Sequence, residues 1–151
     1  MTTGRPAPAK RLVLGAKSGG VATVVMTLFR LPISHSPPPP ATLLAKLRGG
    51  EPEDHVTGGL LLHLLYGVTA GVAYAAASPL DPDLPVVRAE RRGVLRGAGF
   101  GLGLSAFGAR VVLEVALGVD LDPDERFVFH VSHLVYGLTL GAWLGSAVGD
   151  Q

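Results

Sequence analysis

The sequence predicts an all-α, integral membrane four-helix bundle built from two duplicated helical hairpins. The chain has 151 residues, of which 48% are hydrophobic and 17% are charged, and its mean hydropathy is +0.40. This composition is too apolar for a soluble domain of this size. Segments 57–78 and 127–149 contain no Asp, Glu, Lys or Arg, and each exceeds the ~20 residues that cross a ~30 Å hydrocarbon core. A motif in the first segment returns in the second.

The repeated motif runs from His63 to Gly71 and again from His133 to Gly141. His, Tyr, Gly, Thr and Gly recur in the same order and spacing. At ~100° per residue, the His, Tyr and Gly positions of each copy fall on one helix face. Each copy therefore presents a groove of small residues that contains an imidazole and a phenol.

The first predicted span covers residues 12–33, with Lys17 and Arg30 near its ends. Lys10 and Arg11 precede it, but no small-x-small cleavage site follows. We therefore interpret the segment as a retained membrane helix and not as a signal peptide.

The third predicted span covers residues 93–118 and carries Arg96, Arg110 and Glu114 among many glycines. We predict a span despite these charges, because a lone hairpin could not bury the polar face of its partner. Four helices of this length enclose that face.

The loop between the first two spans contains a proline run, 37–40, followed by residues 41–48. Leu43, Leu44 and Leu47 lie opposite Lys46 and Arg48 on a helix, and two glycines follow. This pattern predicts a short amphipathic helix, 41–48, on the membrane surface.

The chain thus divides into hairpin repeats 12–78 and 93–149 within a single membrane domain, 1–151. An acidic turn with a proline precedes each closing helix, at 51–54 and at 122–125. In the second turn Asp122 suits the N-cap and Pro123 the first helical position. Both hairpins enter from the same side, so the repeats are related by a parallel pseudo-twofold axis along the membrane normal.

Basic residues are more frequent on one predicted side of the membrane. The N-terminal arm and the loop after the second span carry Arg5, Lys10, Arg11, Arg88, Arg91 and Arg92. The two opposite loops carry only Lys46, Arg48 and Arg126. The positive-inside rule therefore predicts a multi-pass protein of the cell membrane with both termini in the cytoplasm.

Most ionisable residues within the predicted spans belong to their outer half. His63 and His133 each lie six residues inside a span, which at ~1.5 Å per residue is a depth of ~9 Å. Such residues are costly in hydrocarbon and face the bundle interior, so we treat them as a candidate site. The cluster comprises His63, Tyr66, His130, His133, Tyr136, Arg110, Glu114 and Arg30.

Three hypotheses explain this cluster. Two symmetry-related histidines could ligate a haem iron, or His63, His130 and His133 could bind a metal ion with Glu114. A proton or ion path through His, Tyr and Glu is a second hypothesis, although the polar residues thin out halfway down. The third, which we prefer, is structural. His63 and His133 then donate hydrogen bonds across the pseudo-twofold axis, and Arg110 forms a buried pair with Glu114.

The glycines of the repeated motif predict close helix packing. They recur every four residues, which lets backbones approach, and they comprise Gly67, Gly71, Gly137, Gly141 and Gly145. The two grooves are equivalent, so the second and fourth predicted spans are expected to pack against each other through them. A glycine seam left exposed would favour a homo-oligomer.

The pair Arg110 and Glu114 is in the less favourable order for a helical ion pair, so a second partner is expected for it. His133 and Tyr136 lie at a similar depth and are the candidates.

Several function classes lack support in the sequence. No basic face is interleaved with aromatic residues, so no nucleic-acid partner is expected. The chain has no cysteine, which excludes thiol chemistry, and no nucleophile elbow, Walker loop or zinc-protease motif occurs. We predict a non-enzymatic accessory or interaction component with no required cofactor. Its partners are the lipid bilayer and either a second copy or another membrane subunit.

The segment Met26-Thr27-x-Phe29-Arg30, the proline run before 43–50, Pro52-Glu53-Asp54 and the two His-x-x-Tyr-Gly copies together resemble a known group. They are similar to uncharacterised small integral-membrane proteins of prokaryotes, especially haloarchaeal ones. More distantly, the chain resembles the YagU-like inner-membrane proteins. The resemblance implies the fold and no particular activity.

Overall fold

The computed structural model describes residues 7–34, 36–78 and 84–149, and this part of the chain is helical without a strand. It contains five α-helices, a 3₁₀ turn and a π-helical segment. In chain order these are α1 (Pro8–Arg30), α2 (Pro39–Arg48), the 3₁₀ turn Pro52–His55, α3 (Val56–Ala77), α4 (Val86–Phe107), the π-helical segment Gly108–Leu117 and α5 (Pro123–Gly149). Arg5 and residues 79–83, which contributed to the predicted charge asymmetry and inner loop, lie outside the described residues.

Within the part of the chain that the structure describes, four segments are long and apolar enough to cross a membrane, namely Pro8–Arg30, Pro52–Ala77, Val86–Leu117 and Pro123–Ala147. The all-helical class and the four long apolar helices predicted from the sequence are therefore confirmed. The third segment begins earlier than predicted, because the basic residues Arg88, Arg91 and Arg92 are already helical.

The acidic turns begin their helices through local hydrogen bonds. Asp122 Oδ1 accepts a bond of 2.8 Å from the Glu125 backbone N–H, so the predicted N-cap is confirmed. In the first turn Asp54 Oδ2 accepts a 3.0 Å bond from the Glu51 N–H, and the Glu51 side chain bonds back to the Asp54 backbone. Both turns thus satisfy amide groups that a helix start leaves without partners.

The helix that begins as α4 widens into π-type turns at Gly108 and ends at Gly118. Gly118 has a φ of 63°, a left-handed conformation that glycine adopts without strain. The following N–H of Val119 donates to Leu113 O at 2.9 Å. A uniform α-helix was expected over 93–118, and no residue pattern there marks the change.

Glycines bring the helices of each hairpin into backbone contact. A Cβ placed on Gly19 would lie 2.9 Å from Gly71 Cα, and one placed on Gly97 would lie 2.8 Å from Gly141 Cα. Such distances leave no room for a side chain, so α1 packs directly on α3, and α4 on α5. We call these pairs the first and second hairpin.

This arrangement corrects the expected pairing of the two motif helices. The faces of Gly67 and Gly71 meet α1, and those of Gly137 and Gly141 meet α4. Gly145 likewise contacts the beginning of α4, where its Cβ would lie 2.7 Å from Glu90 Cα. The grooves are filled within each hairpin because α1 and α4 both carry small residues at the same four-residue spacing.

The two hairpins meet through α1 and α5 and through two tyrosines. Tyr136 OH of α5 donates to Gly67 O of α3 at 2.7 Å, and Tyr74 OH of α3 donates to Gly93 O of α4 at 3.2 Å. Each hairpin therefore supplies one phenol to a glycine carbonyl of the other. The shared core consists of Ala22, Met26, Ala70, Tyr74, Ala75, Tyr136, Leu140 and Leu144.

Small and hydroxyl-bearing side chains fill much of the interior, while large apolar ones lie outside. Ser18, Ser105 and Ser132 are fully buried. Large apolar side chains with more than 60% of their surface exposed include Leu28, Leu31, Leu61, Leu65, Leu95, Val115 and Phe127. So many exposed large apolar side chains are unusual for a water-soluble domain of this size.

Helix α2 packs on the first hairpin. Ala41 lies against Gly59, where a Cβ would be 2.7 Å from the Ala41 N, and Lys46 Nζ donates to Leu117 O at the end of the π-helical segment. Leu43 and Leu47 stay exposed. The predicted short helix is present from Pro39, with Ala41, Leu44 and Ala45 buried against the protein and Lys46 and Arg48 exposed beside the two leucines.

Candidate functional site

Four residues of the predicted cluster surround one small cavity between the hairpins. His63 and Tyr66 of α3 and His133 and Tyr136 of α5 line it, together with Thr23, Met26, Gly67 and Leu104. Its volume is about 10 Å³, close to the ~10–15 Å³ that one water requires. The two histidines of the repeated sequence motif therefore share a cavity, which we call the inner cavity.

His133 is buried and bonds within its own helix. Its Nδ1 lies 2.9 Å from Phe129 O, and because a carbonyl only accepts, Nδ1 carries the proton. The Phe129 ring packs against the imidazole at a tilt of 45°, with 4.4 Å between centroids. The expected hydrogen bond from His133 across the pseudo-twofold axis is therefore wrong, because this N–H donates to a carbonyl of α5 itself.

His63 makes no hydrogen bond to any residue that the structure describes. Besides the inner cavity it lines a second cavity of about 60 Å³ at the outer end of α1 and α3. We call this space the outer pocket. It is lined by Met26, Thr27, Arg30, Leu31, Ser34, Ser36, Pro38, Leu60 and His63. His63 thus stands where the two spaces meet.

Arg30 enters the outer pocket from the last turn of α1 and is partly buried. Its Nη2 donates to Ser34 Oγ at 3.1 Å. Within the described residues no carboxylate lies within 4.0 Å of its guanidinium. Ser36, also in the pocket wall, donates to Glu125 Oε1 at 2.7 Å, and the Glu125 carboxylate is near enough to act electrostatically on Arg30.

His130 points toward α4, where its Nδ1 bonds to Ser105 Oγ. The described residues contain no group of three His, Asp or Glu side chains that could hold a metal ion. The structure therefore does not bring His63, His130 and His133 together as metal ligands with Glu114. His130 instead bonds to Ser105 of α4.

Arg110 and Glu114 form the predicted ion pair, with Nη1 and Oε2 separated by 3.1 Å. The pair is not buried, since 80% of the Arg110 side chain and 27% of the Glu114 side chain are exposed. Its second partner is Arg126, at 3.5 Å from Glu114 Oε1, and not His133 or Tyr136. Arg126 also bonds to Asp120 Oδ1 at 2.7 Å, which closes an ionic network across the turn into α5.

Two features of the structure were not predicted from the sequence, namely the cap on α3 and the serines of the outer pocket. Arg11 donates from Nε to Ala75 O at 2.7 Å and from Nη2 to Ala76 O at 3.2 Å and to Ser78 O, so it caps the end of α3. Ser34 and Ser36 of the outer pocket follow α1 in an irregular loop. The one sequence signal for the role of Arg11 is its position at the predicted cytoplasmic end of the first span, where the unpaired carbonyls at the C-terminal end of the second span also lie.

Searches against protein-family models, curated proteins and solved structures find no match to this chain.

Proposed function

We propose that the chain is an integral membrane protein with four transmembrane helices. One observation carries the proposal, namely the distribution of side chains, with serines and glycines inside and leucines, valines and phenylalanines outside. In water this surface would be a large apolar patch. In lipid the exposed apolar surface carries no free-energy penalty, and glycine contacts and hydrogen bonds hold the helices together.

Membrane extraction tests this proposal directly. A tagged full-length chain should sediment with membranes, resist alkaline carbonate and dissolve in dodecyl maltoside. Release of the chain by carbonate alone would contradict a spanning arrangement.

We further propose that both termini face the cytoplasm and that the two hairpins arose by duplication. Small residues of equal spacing support the duplication, because Gly15 and Gly19 oppose Gly71 as Gly93 and Gly97 oppose Gly141. The same features, with the motif residues, support kinship with the haloarchaeal-type and YagU-like membrane proteins. An experimental structure of one such protein tests the kinship, and the same glycine pairing is expected in it.

As a role we propose a non-enzymatic accessory or interaction component of the membrane. The polar groups support it, because Tyr136 and His130 make hydrogen bonds between helices and His133 bonds within its own helix. The partners are the bilayer and a second copy or another membrane subunit.

Photo-crosslinking in intact membranes tests the interaction role. Gly99 lies on an exposed face of α4, where a Cβ would meet nothing within 4 Å, so a photo-reactive residue there samples the surroundings. A covalent adduct with a second polypeptide is expected. The control position is the fully buried Leu140, which should give no such adduct. Adducts with lipid alone at position 99 would contradict the role.

The rival candidate is a proton- or ion-conducting or haem-binding module. The meeting of two cavities at His63 favours conduction. From His133 toward the proposed cytoplasmic end, however, Tyr74, Leu140 and Leu144 fill the core. The polar route therefore ends midway along the bundle. A Soret band in purified protein, or ion flux in liposomes that His63→Ala abolishes, would favour the rival.

A further inference from the structure

The outer pocket contains a cation whose hydrogen-bonding capacity is mostly unused. A guanidinium has five N–H donors, and the described contacts of Arg30 use one of them, to Ser34. A partly buried arginine without a carboxylate at salt-bridge distance is costly in the outer part of a membrane. The remaining donors and the charge are available to an anion.

Two further donors converge on the same space. Ser34 accepts from Arg30 and keeps its own O–H for another acceptor. His63 lines the pocket and has no hydrogen bond to the described residues. Thr27 and Ser36 line it too, but their hydroxyls already donate to Thr23 O at 2.8 Å and to Glu125. A ligand therefore meets one cation, one hydroxyl and one imidazole.

The size and walls of the pocket limit the ligand further. At ~10–15 Å³ for each water-sized group, its 60 Å³ has room for roughly four to six such groups, about the size of one tetrahedral oxyanion. Met26, Leu31, Pro38 and Leu60 form apolar walls. Leu31 and Leu60 continue onto the exposed apolar surface, so a hydrocarbon chain attached to the anion would lie against them.

We propose that the outer pocket binds a phosphate group, held by Arg30 with Ser34 and His63. Guanidinium matches phosphate oxygens in geometry as well as charge. The phosphate can belong to a phospholipid head group whose chains follow Leu31 and Leu60, or to free phosphate. The Glu125 carboxylate accepts a hydrogen bond from Ser36 in the pocket wall. Its negative charge repels the phosphate and therefore lowers the affinity of the pocket.

The test uses full-length protein in dodecyl maltoside and follows the thermal unfolding temperature. The probes are dihexanoyl phosphatidic acid, inorganic phosphate and dihexanoylglycerol, which lacks the phosphate. We expect a saturable rise in Tm with phosphatidic acid and none with dihexanoylglycerol. An equal effect of inorganic phosphate at the same concentration would assign the site to the free ion. A response to phosphatidic acid alone would assign it to the lipid.

Variants link the effect to the pocket. Arg30→Gln should weaken the response by roughly tenfold or more, and Ser34→Ala by a smaller factor. Glu125→Gln should strengthen it, because the change removes a negative charge but keeps an acceptor for Ser36. Arg110→Gln, which removes an exposed arginine of the ionic network, is the matched control and should respond like the unchanged protein.

Three results would overturn the proposal. These are a Tm that does not respond to either phosphate compound, an equal response to dihexanoylglycerol, and a response that Arg30→Gln and Ser34→Ala leave intact. If Arg30→Gln fails to fold, Ser34→Ala and Glu125→Gln decide, since their effects are expected in opposite directions. Equal responses of these two variants would also reject the site.

Discussion

Two tyrosine hydroxyls donate hydrogen bonds from the long helices of one hairpin to those of the other. The acceptors are carbonyls of Gly67 and Gly93, where the absence of a side chain leaves the carbonyl open to a phenol from another helix. Tyr136 is buried, whereas its counterpart in the first copy of the motif, Tyr66, is 41% exposed. Equivalent residues of the repeated motif thus have different roles.

Tyr136→Phe is expected to lower the free energy of unfolding by about 1 kcal/mol, since hydrogen bonds between membrane helices contribute ~0.6 and at most ~1.7 kcal/mol. The ring stays in place, so packing is preserved. Unfolding in mixed detergent micelles measures the change. Tyr66→Phe is the matched control and should have no effect. Equal losses for the two variants would show that the Gly67 bond does not stabilise the fold.

Arg11 is a second single-residue contribution, because it binds three carbonyls at the end of α3. Arg11→Gln should cost about 1–2 kcal/mol, as both charge-assisted bonds and the favourable interaction with the helix dipole are lost. The neighbouring Lys10→Gln removes the same charge from an exposed side chain and should cost less than about 0.5 kcal/mol. Chemical denaturation of both variants in detergent provides the comparison. A similar loss of unfolding free energy in the two variants would show that Arg11 contributes through its charge and not through its hydrogen bonds.

At the level of elements, each hairpin is held by helix backbones in contact. The sequence predicted that the glycines mark packing faces but assigned the wrong partners. Gly15, Gly19 and Thr23 on α1 match the spacing of Gly67 and Gly71 as well as α5 does, so spacing alone does not select the partner. The selection comes from shape. Thr23 lies over Gly67, and its Cβ is 3.0 Å from the position that a Cβ added to Gly67 would occupy.

The glycines of α4 offer a test within one helix. Gly97→Ala places a methyl group against the α5 backbone and should destabilise by about 1–3 kcal/mol. Gly99→Ala, two residues on, meets nothing within 4 Å and should be neutral or stabilising by up to about 1 kcal/mol. Thermal unfolding in detergent reports both. If Gly97→Ala is tolerated, the two backbones are farther apart than described.

Predictions from sequence succeeded where a local pattern determines the outcome. Apolar length indicated the four long helices, and the order Asp122-Pro123 indicated the start of α5. They failed where distant residues decide. The inner cavity joins His63 with His133 as their depths suggested, but His133 turns to Phe129 and His130 to Ser105. The π-type turns after Gly108 and the contact of Arg126 with Glu114 depend on packing across a turn, which periodicity does not encode.

For the whole molecule, the ends of the bundle differ in charge. Lys10, Arg11, Arg88, Arg91 and Arg92 lie at one end, and Lys46, Arg48 and Arg126 at the other. Because the chain has no cysteine, single cysteines report the orientation. Cys at positions 48 and 124 should react with an impermeant maleimide on intact cells, and Cys at positions 10 and 88 only after permeabilisation. The reverse pattern would invert the topology.

The glycine contacts also determine which sequences can share this fold. At Gly15, Gly19, Gly71, Gly97 and Gly141 a single added carbon would collide with another helix, whereas exposed positions such as Leu61 and Val115 need only remain apolar. With the outer surface in lipid, as proposed, tolerance to mutation is inverted relative to a soluble protein. In a saturation library the interior should accept one or two residue types and the outside nearly every apolar one. Descendants of this chain would diverge fastest over their largest residues and slowest over their smallest.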